Sequence, residues 1–129
     1  MAYAPIPKAD EQLARKVIGA AIEVHRILGS GFLEKVYQRA LCYEMRLQGI
    51  PFESQKEILV PYKDIVVLGQ QVDILVGGRV IVELKAASEI LPIHQAQLLS
   101  YLKAAKLRLG LLLNFHVQKL KDGLQRIVL

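Results

Sequence analysis

The chain has one cysteine in 129 residues, so no disulfide can staple it. The spacing of Val36-Tyr37-Gln38-Arg39-Ala40-Leu41-Cys42-Tyr43 puts the Cys42 thiol near the apolar side of a helix, where a buried sulfur is expected. Tryptophan is absent and aromatics make up 6% of the chain. Tyr62, Tyr101 and Phe115 are the residues able to stack on a base, and no stacking platform is evident. No leader-like segment opens the chain and no apolar run is long enough to span a bilayer, which sets the expectation of a cytoplasmic protein with no membrane partner. Zinc-spaced Cys/His sets, a Ser/His/Asp set and a G-x-x-x-x-G-K phosphate loop are all missing.

What is present is apolar and basic. A hydrophobic content of 53% suffices for the core of one domain, expected over residues 11–129 behind a loose lead-in at 1–10 that contains Pro5 and Pro7. Seventeen Lys and Arg against twelve Asp and Glu give a net charge of +5, which suits an anionic partner, although the bases are dispersed rather than blocked.

Periodicity orders the elements. Leu13, Val17, Ala20, Ala21, Val24 and Leu28 recur at three- and four-residue spacing and predict a helix over 11–28, ended by Gly29-Ser30-Gly31. A second helix is predicted from Phe32 to about Gln48, before Gly49 and Pro51. Strand signals follow at 57–62, with Pro61 marking an edge, then at 65–68 and on through Gly69 to 76, and at 80–85. Pro92 opens a third helix to about Lys106. Leu109 to Phe115 reads as a fully buried strand, parallel to the 80–85 strand by a right-handed crossover, and 126–129 as a last short strand. The fold class is therefore mixed α/β, a sheet flanked by helices in one domain.

Charge inside the apolar hairpin is the main chemical signal. Asp73 lies in Val72-Asp73-Ile74-Leu75-Val76, and Glu83 and Lys85 share one face of Val80-Ile81-Val82-Glu83-Leu84-Lys85. Such charges are costly unless paired, hydrogen-bonded or bound to metal. A two-residue turn at Gly77-Gly78 would turn Asp73 away from Glu83, whereas a three-residue loop of Gly77, Gly78 and Arg79 sets the two carboxylates opposite each other. The odd-length loop is the expectation. Read without further context, Glu83 and Lys85 or Asp73 and Lys85 form an ion pair or line a site. Glu34 caps its helix from the third position with Gly31 as N-cap, or does more. His94, Gln97 and Tyr101 form one stripe of the third helix, either its wet side or a working face. His25 lies on a polar face at the end of the first helix, where it favours the helix dipole or approaches Glu34.

These residues form an ordered set. Gly31-Phe32-Leu33-Glu34-Lys35-Val36-Tyr37 is the pattern G-x-x-E-x-x-Y, and Asp73, Glu83-Leu84-Lys85 and Gln97-Leu98-Leu99-Ser100-Tyr101 follow it. The chain resembles the GxxExxY proteins of the PD-(D/E)XK nuclease superfamily over residues 12–129, with Val72 where the motif has proline. The resemblance implies an αβββαβ core, here with an extra N-terminal helix, and a divalent-metal-dependent nuclease acting on nucleic acid, DNA ahead of RNA. It implies Asp73 and Glu83 as ligands of Mg²⁺ or Mn²⁺ with the Leu84 carbonyl, and Glu34 as a third acidic ligand, direct or through water. Lys85 would orient the attacking water or offset phosphoryl charge. Gln97 and Tyr101 would contact phosphate or brace Lys85, and Tyr37 would fix Glu34. His94 and His25 are further supporting candidates. The alternative on the same fold is a non-catalytic nucleic-acid-binding or oligomeric interaction module, and a homodimer suits either reading.

Overall fold

The computed structural model describes residues 4–129. Helix α1 (Lys8–Leu28) buries Val17, Ala20, Ala21 and Val24, four of the residues whose spacing predicted it, together with Ala14, while Leu13 and Leu28 are half-buried. It starts at Lys8, three residues early, with Asp10 and Glu11 in the first turn at the positive end of its dipole. Residues 8–10, expected in the lead-in, are thus helical, and Asp10 is buried and paired with Arg79 at 3.0 Å. The first three residues of the lead-in lie outside the described chain.

Helix α2 (Glu34–Leu47) begins two residues later than predicted. Gly31, at φ 112°, belongs to the preceding turn rather than to a cap, and the Phe32 N–H is taken by the Tyr37 hydroxyl. Glu34 is accordingly the first residue of the helix, and no side chain caps it, so the capping-box reading does not hold.

Five strands follow: β1 (Phe52–Tyr62), β2 (Ile65–Val76), β3 (Val80–Lys85), β4 (Leu109–Asn114) and β5 (Leu124–Val128), with helix α3 (Pro92–Ala105) between β3 and β4 and a single 3₁₀ turn (Leu120–Gly123) before β5. They lie side by side in chain order, antiparallel except for the parallel β3–β4 pair. Pro61 does sit on the edge strand β1. β1 starts five residues before the predicted 57, because Glu53, Ser54 and Lys56 are held by pairing with the well-buried end of β2 and not by their own hydrophobicity. β2 is continuous through Gly69, where a Cβ would lie 1.7 Å from the Ile58 carbonyl oxygen, at a one-residue register shift in which Leu68 and Gly69 of β2 stand against Leu59 of β1.

Side-chain alternation splits the core in two. On one face Ile74, Val76, Val80, Val82, Leu84, Leu111 and Leu113 pack under α1 and α2; on the other Leu75, Ile81 and Leu112 pack under Leu98 and Leu102 of α3. Tyr37, Phe115 and His25 tie the first layer together: Tyr37 stacks on Phe115 at 4.5 Å, and His25 tilts against Phe115 at 6.2 Å. No helix among the described residues is long and apolar enough to cross a membrane.

Candidate active site

The β2–β3 connection is the three-residue loop Gly77-Gly78-Arg79. Both glycines have positive φ, 58° and 68°, and the Arg79 N–H donates to the Val76 carbonyl at 3.0 Å. The pairs Val76↔Val80, Leu75↔Ile81 and Ile74↔Val82 follow, which brings Asp73 opposite Glu83. The backbone ladder stops at that point. The Leu84 N–H donates to Asp73 Oδ2 at 2.8 Å, the Asp73 N–H to Glu83 Oε1 at 3.3 Å, and Gln38 Nε2 of α2 to the Asp73 carbonyl at 3.3 Å.

The sheet is irregular on the other side of Asp73 as well. Val72 and Ile74 have the same parity yet join opposite core layers. On β1 the residue between Ser54↔Ile74 and Lys56↔Val72 is Gln55, which adopts φ 51° without being a glycine. Residues on both sides of the sheet can therefore reach Asp73.

Electrostatics describes the same cluster. Glu83 is pushed up to about 8, first by burial, then by the facing Asp73 carboxylate, with Lys85 pulling the other way. The two carboxyls face each other closely enough that charge on Asp73 disfavours charge on Glu83. Glu34 is half-buried and raised by desolvation, offset by the Lys85 charge and reinforced by Asp73. The Tyr101 phenol is raised by burial and by the charges of Glu83 and Asp73. Ion pairs among the described residues join Arg26 to Glu23, Lys56 to Glu53, Arg79 to Asp10 and Arg126 to Glu11. Lys85 is in none of them, so the ion-pair reading of the hairpin charges does not hold.

The stripe on α3 faces this cluster. Glu83, Lys85, His94, Gln97 and Tyr101 line a small pocket of about 50 Å³, room for a water. Tyr101 donates to Gln70 Oε1 at 2.7 Å rather than bracing Lys85, and His94 Nδ1 accepts the Leu91 N–H at 3.0 Å, which fixes the start of α3. Tyr37 does not hold Glu34: its hydroxyl donates to the Gly29 carbonyl at 2.6 Å and accepts from Phe32, so it fixes the turn from which Glu34 projects. His25 is buried rather than on a polar face, with Nε2 bonded to the Val117 carbonyl at 2.9 Å, so its contacts are to the loop after β4 and to Phe115, not to Glu34. Asn114 escaped the sequence reading. Its amide donates to the Ala87 carbonyl at 2.9 Å and accepts the Ala87 N–H at 3.2 Å, clasping the segment that leaves Lys85; the signal was a lone polar residue in the run from Leu109 to Phe115.

Among the described residues no three His, Cys, Asp or Glu side chains converge on a point that could hold an ion. The donor set of Asp73, Glu83 and the Leu84 carbonyl nevertheless fits a hard divalent cation. All its atoms are oxygen, and the repulsion that Asp73 exerts on a charged Glu83 marks a place for positive charge.

A five-stranded mixed sheet with helices on both faces and a D…E-x-K cluster where two strands part defines a nuclease-like α/β domain. The chain belongs to the PD-(D/E)XK nuclease superfamily, whose family model matches residues 11–127. No curated protein and no solved structure matches it.

Proposed function

We propose that this protein is a divalent-metal-dependent nuclease that hydrolyses phosphodiester bonds of nucleic acid, DNA ahead of RNA, with Asp73 and Glu83 holding Mg²⁺ or Mn²⁺. The observation that carries the reading is the opposition of Asp73 and Glu83 at the end of the β2–β3 ladder, with an unpaired Lys85 on the same strand face as Glu83. A cation bound there supplies Lewis-acid polarisation of the phosphate. The Leu84 N–H holds the Asp73 carboxylate in place beside Glu83. Lys85, in no ion pair among the described residues, offsets charge as it grows on the phosphoryl oxygens. Glu34, whose carboxyl is pushed above its ordinary value by burial, takes its place in the site through a water molecule. Gln97, His94 and Tyr101 line the pocket beside Lys85 and position the phosphate.

The G-x-x-E-x-x-Y pattern supports placing the chain in the GxxExxY branch, with residues 11–129 as the working domain. Exposed Leu59, Ile65, Val66 and Leu68 at the far end of the β1–β2 hairpin support a homodimer, and the lone, free, buried Cys42 suits a reducing cytoplasm. The test is cleavage of labelled DNA and RNA with Mg²⁺ or Mn²⁺, beside Glu83→Ala and Lys85→Ala variants shown to be folded. Metal-dependent cutting that both substitutions abolish is expected. No cutting on any substrate overturns the enzyme in favour of the non-catalytic module.

A further inference from the structure

The basic residues that look dispersed along the chain are not dispersed in space. Lys35, Arg39 and Arg46 fall on one stripe of α2 that runs about 16 Å along the helix, and Tyr43 stands between the two arginines. All four line a groove of about 580 Å³ between α2 and the start of β1, and its lining residues include no carboxylate. Its volume is in the range of functional pockets. None of the three cations is ion-paired among the described residues, and Arg46 is oriented over the Phe52 ring at 5.5 Å. Tyr43 is 61% exposed.

The groove leads to the carboxylates. Gln38 lines it and donates to the Asp73 carbonyl, and Gln55, which lines its other wall, sits across from Asp73 with its backbone in the left-handed region. Strain of that kind in a non-glycine residue persists where the surroundings demand it. Here it turns the wall of the groove at the point where the groove meets the site.

We propose that this groove is a track for single-stranded nucleic acid, in which Lys35, Arg39 and Arg46 hold successive phosphates, Tyr43 stacks on an unpaired base, and Gln38 and Gln55 hand the strand to Asp73. Cations interleaved with an exposed aromatic suit a single strand, because stacking needs a base face that a duplex hides. A basic surface alone holds duplex and single strand alike. The proposal rests on the nuclease reading for what happens at the end of the track, but its binding is measurable without any chemistry.

The experiment is fluorescence anisotropy in EDTA with a labelled oligothymidine of about 16 nucleotides, the upper end of what one small domain covers, against a duplex of equal length, with oligouridine alongside to separate deoxyribose from ribose strands. The single strand is expected to bind about tenfold or more tighter than the duplex. Tyr43→Ala, at an exposed position, is expected to weaken single-strand binding about tenfold, and Tyr43→Phe to retain it. Arg39→Gln and Arg46→Gln are each expected to reduce the salt slope of log affinity by about 0.7. Duplex binding as tight as single-strand binding, or a single-strand affinity indifferent to Tyr43→Ala, overturns the track. Tyr43-dependent binding in a protein that cuts nothing with Mg²⁺ or Mn²⁺ supports the track and overturns the nuclease. Cutting that needs Glu83 but is indifferent to Tyr43→Ala does the reverse.

Discussion

Replacing Glu83 by glutamine should stabilise the metal-free protein, and more so as pH rises. The Glu83 carboxyl is raised from 4.5 to about 8 by burial and by the Asp73 carboxylate that faces it. The folded state therefore holds a proton that the unfolded chain releases near its ordinary value. Below about pH 4.5 this group costs the fold nothing; between 4.5 and 8 the cost grows; above 8 it is complete. The full span corresponds to a ceiling of about 5 kcal/mol, and relaxation around the carboxyl brings the expected gain to about 2–3 kcal/mol. Glutamine keeps an oxygen to accept the Asp73 N–H and gains a donor for the Asp73 carboxylate, so it imitates the protonated acid without the desolvated charge. Urea titrations in EDTA at pH 5, 7 and 9, followed by circular dichroism, measure the difference. The curves of wild type and Glu83→Gln should nearly coincide at pH 5 and separate by pH 9. A constant offset across that range would refute the reasoning, because it would mean that Glu83 carries no raised affinity for its proton.

Three further outcomes follow from the packing. Arg79→Ala leaves the Asp10 carboxylate buried without its partner and should cost about 2–4 kcal/mol, whereas Asp10→Ala frees a half-exposed guanidinium and should cost less, about 1–2 kcal/mol, both read by urea denaturation. Gly77→Ala places a Cβ 2.7 Å from Leu13 Cδ1 at φ 58° and should cost about 2–3 kcal/mol; Gly78→Ala, at φ 68° with open space around it, should cost about 1 kcal/mol, and equal losses would contradict the loop geometry. Tyr37→Phe keeps the stack on Phe115 but leaves the Gly29 carbonyl and Phe32 N–H without the hydroxyl, for a loss of about 1–2 kcal/mol in thermal melts.

The parts of the site that the sequence made readable are those in which local rules and tertiary structure agree. Alternation along Val80–Lys85 put Glu83 and Lys85 on one face, and the glycine pair allowed the odd-length loop that brings Asp73 opposite. Where a polar residue is held by distant partners, letters alone misled. His25 lies between Val24 and Arg26, yet the apolar stripe of α1 is wide enough to include it, and its partner Val117 is 92 residues away. Tyr37 was assigned to Glu34 because both share a motif, whereas its hydroxyl serves the turn before the helix. Glu34 was placed at the wrong helical position because Gly31 belongs to the turn and not to the cap. The groove was missed because a count of bases along a chain hides the 100° rotation per residue that gathers Lys35, Arg39, Tyr43 and Arg46 on one side.

Helix α2 presents two surfaces whose phase is locked. Tyr37, Leu41 and Met45 are fully buried against the sheet, while Lys35, Arg39, Tyr43 and Arg46 point the other way. Inserting or deleting one residue between Glu34 and Arg46 would rotate everything beyond it by about 100°, moving cations toward the core and core residues toward the groove. The stretch is therefore open to exchange of letters on its outer stripe and closed to any change of length. Chains descended from this one can revise what they grip by substitution at 35, 39, 43 and 46, with the spacing from Glu34 onward left as the fixed ruler against which both surfaces are measured.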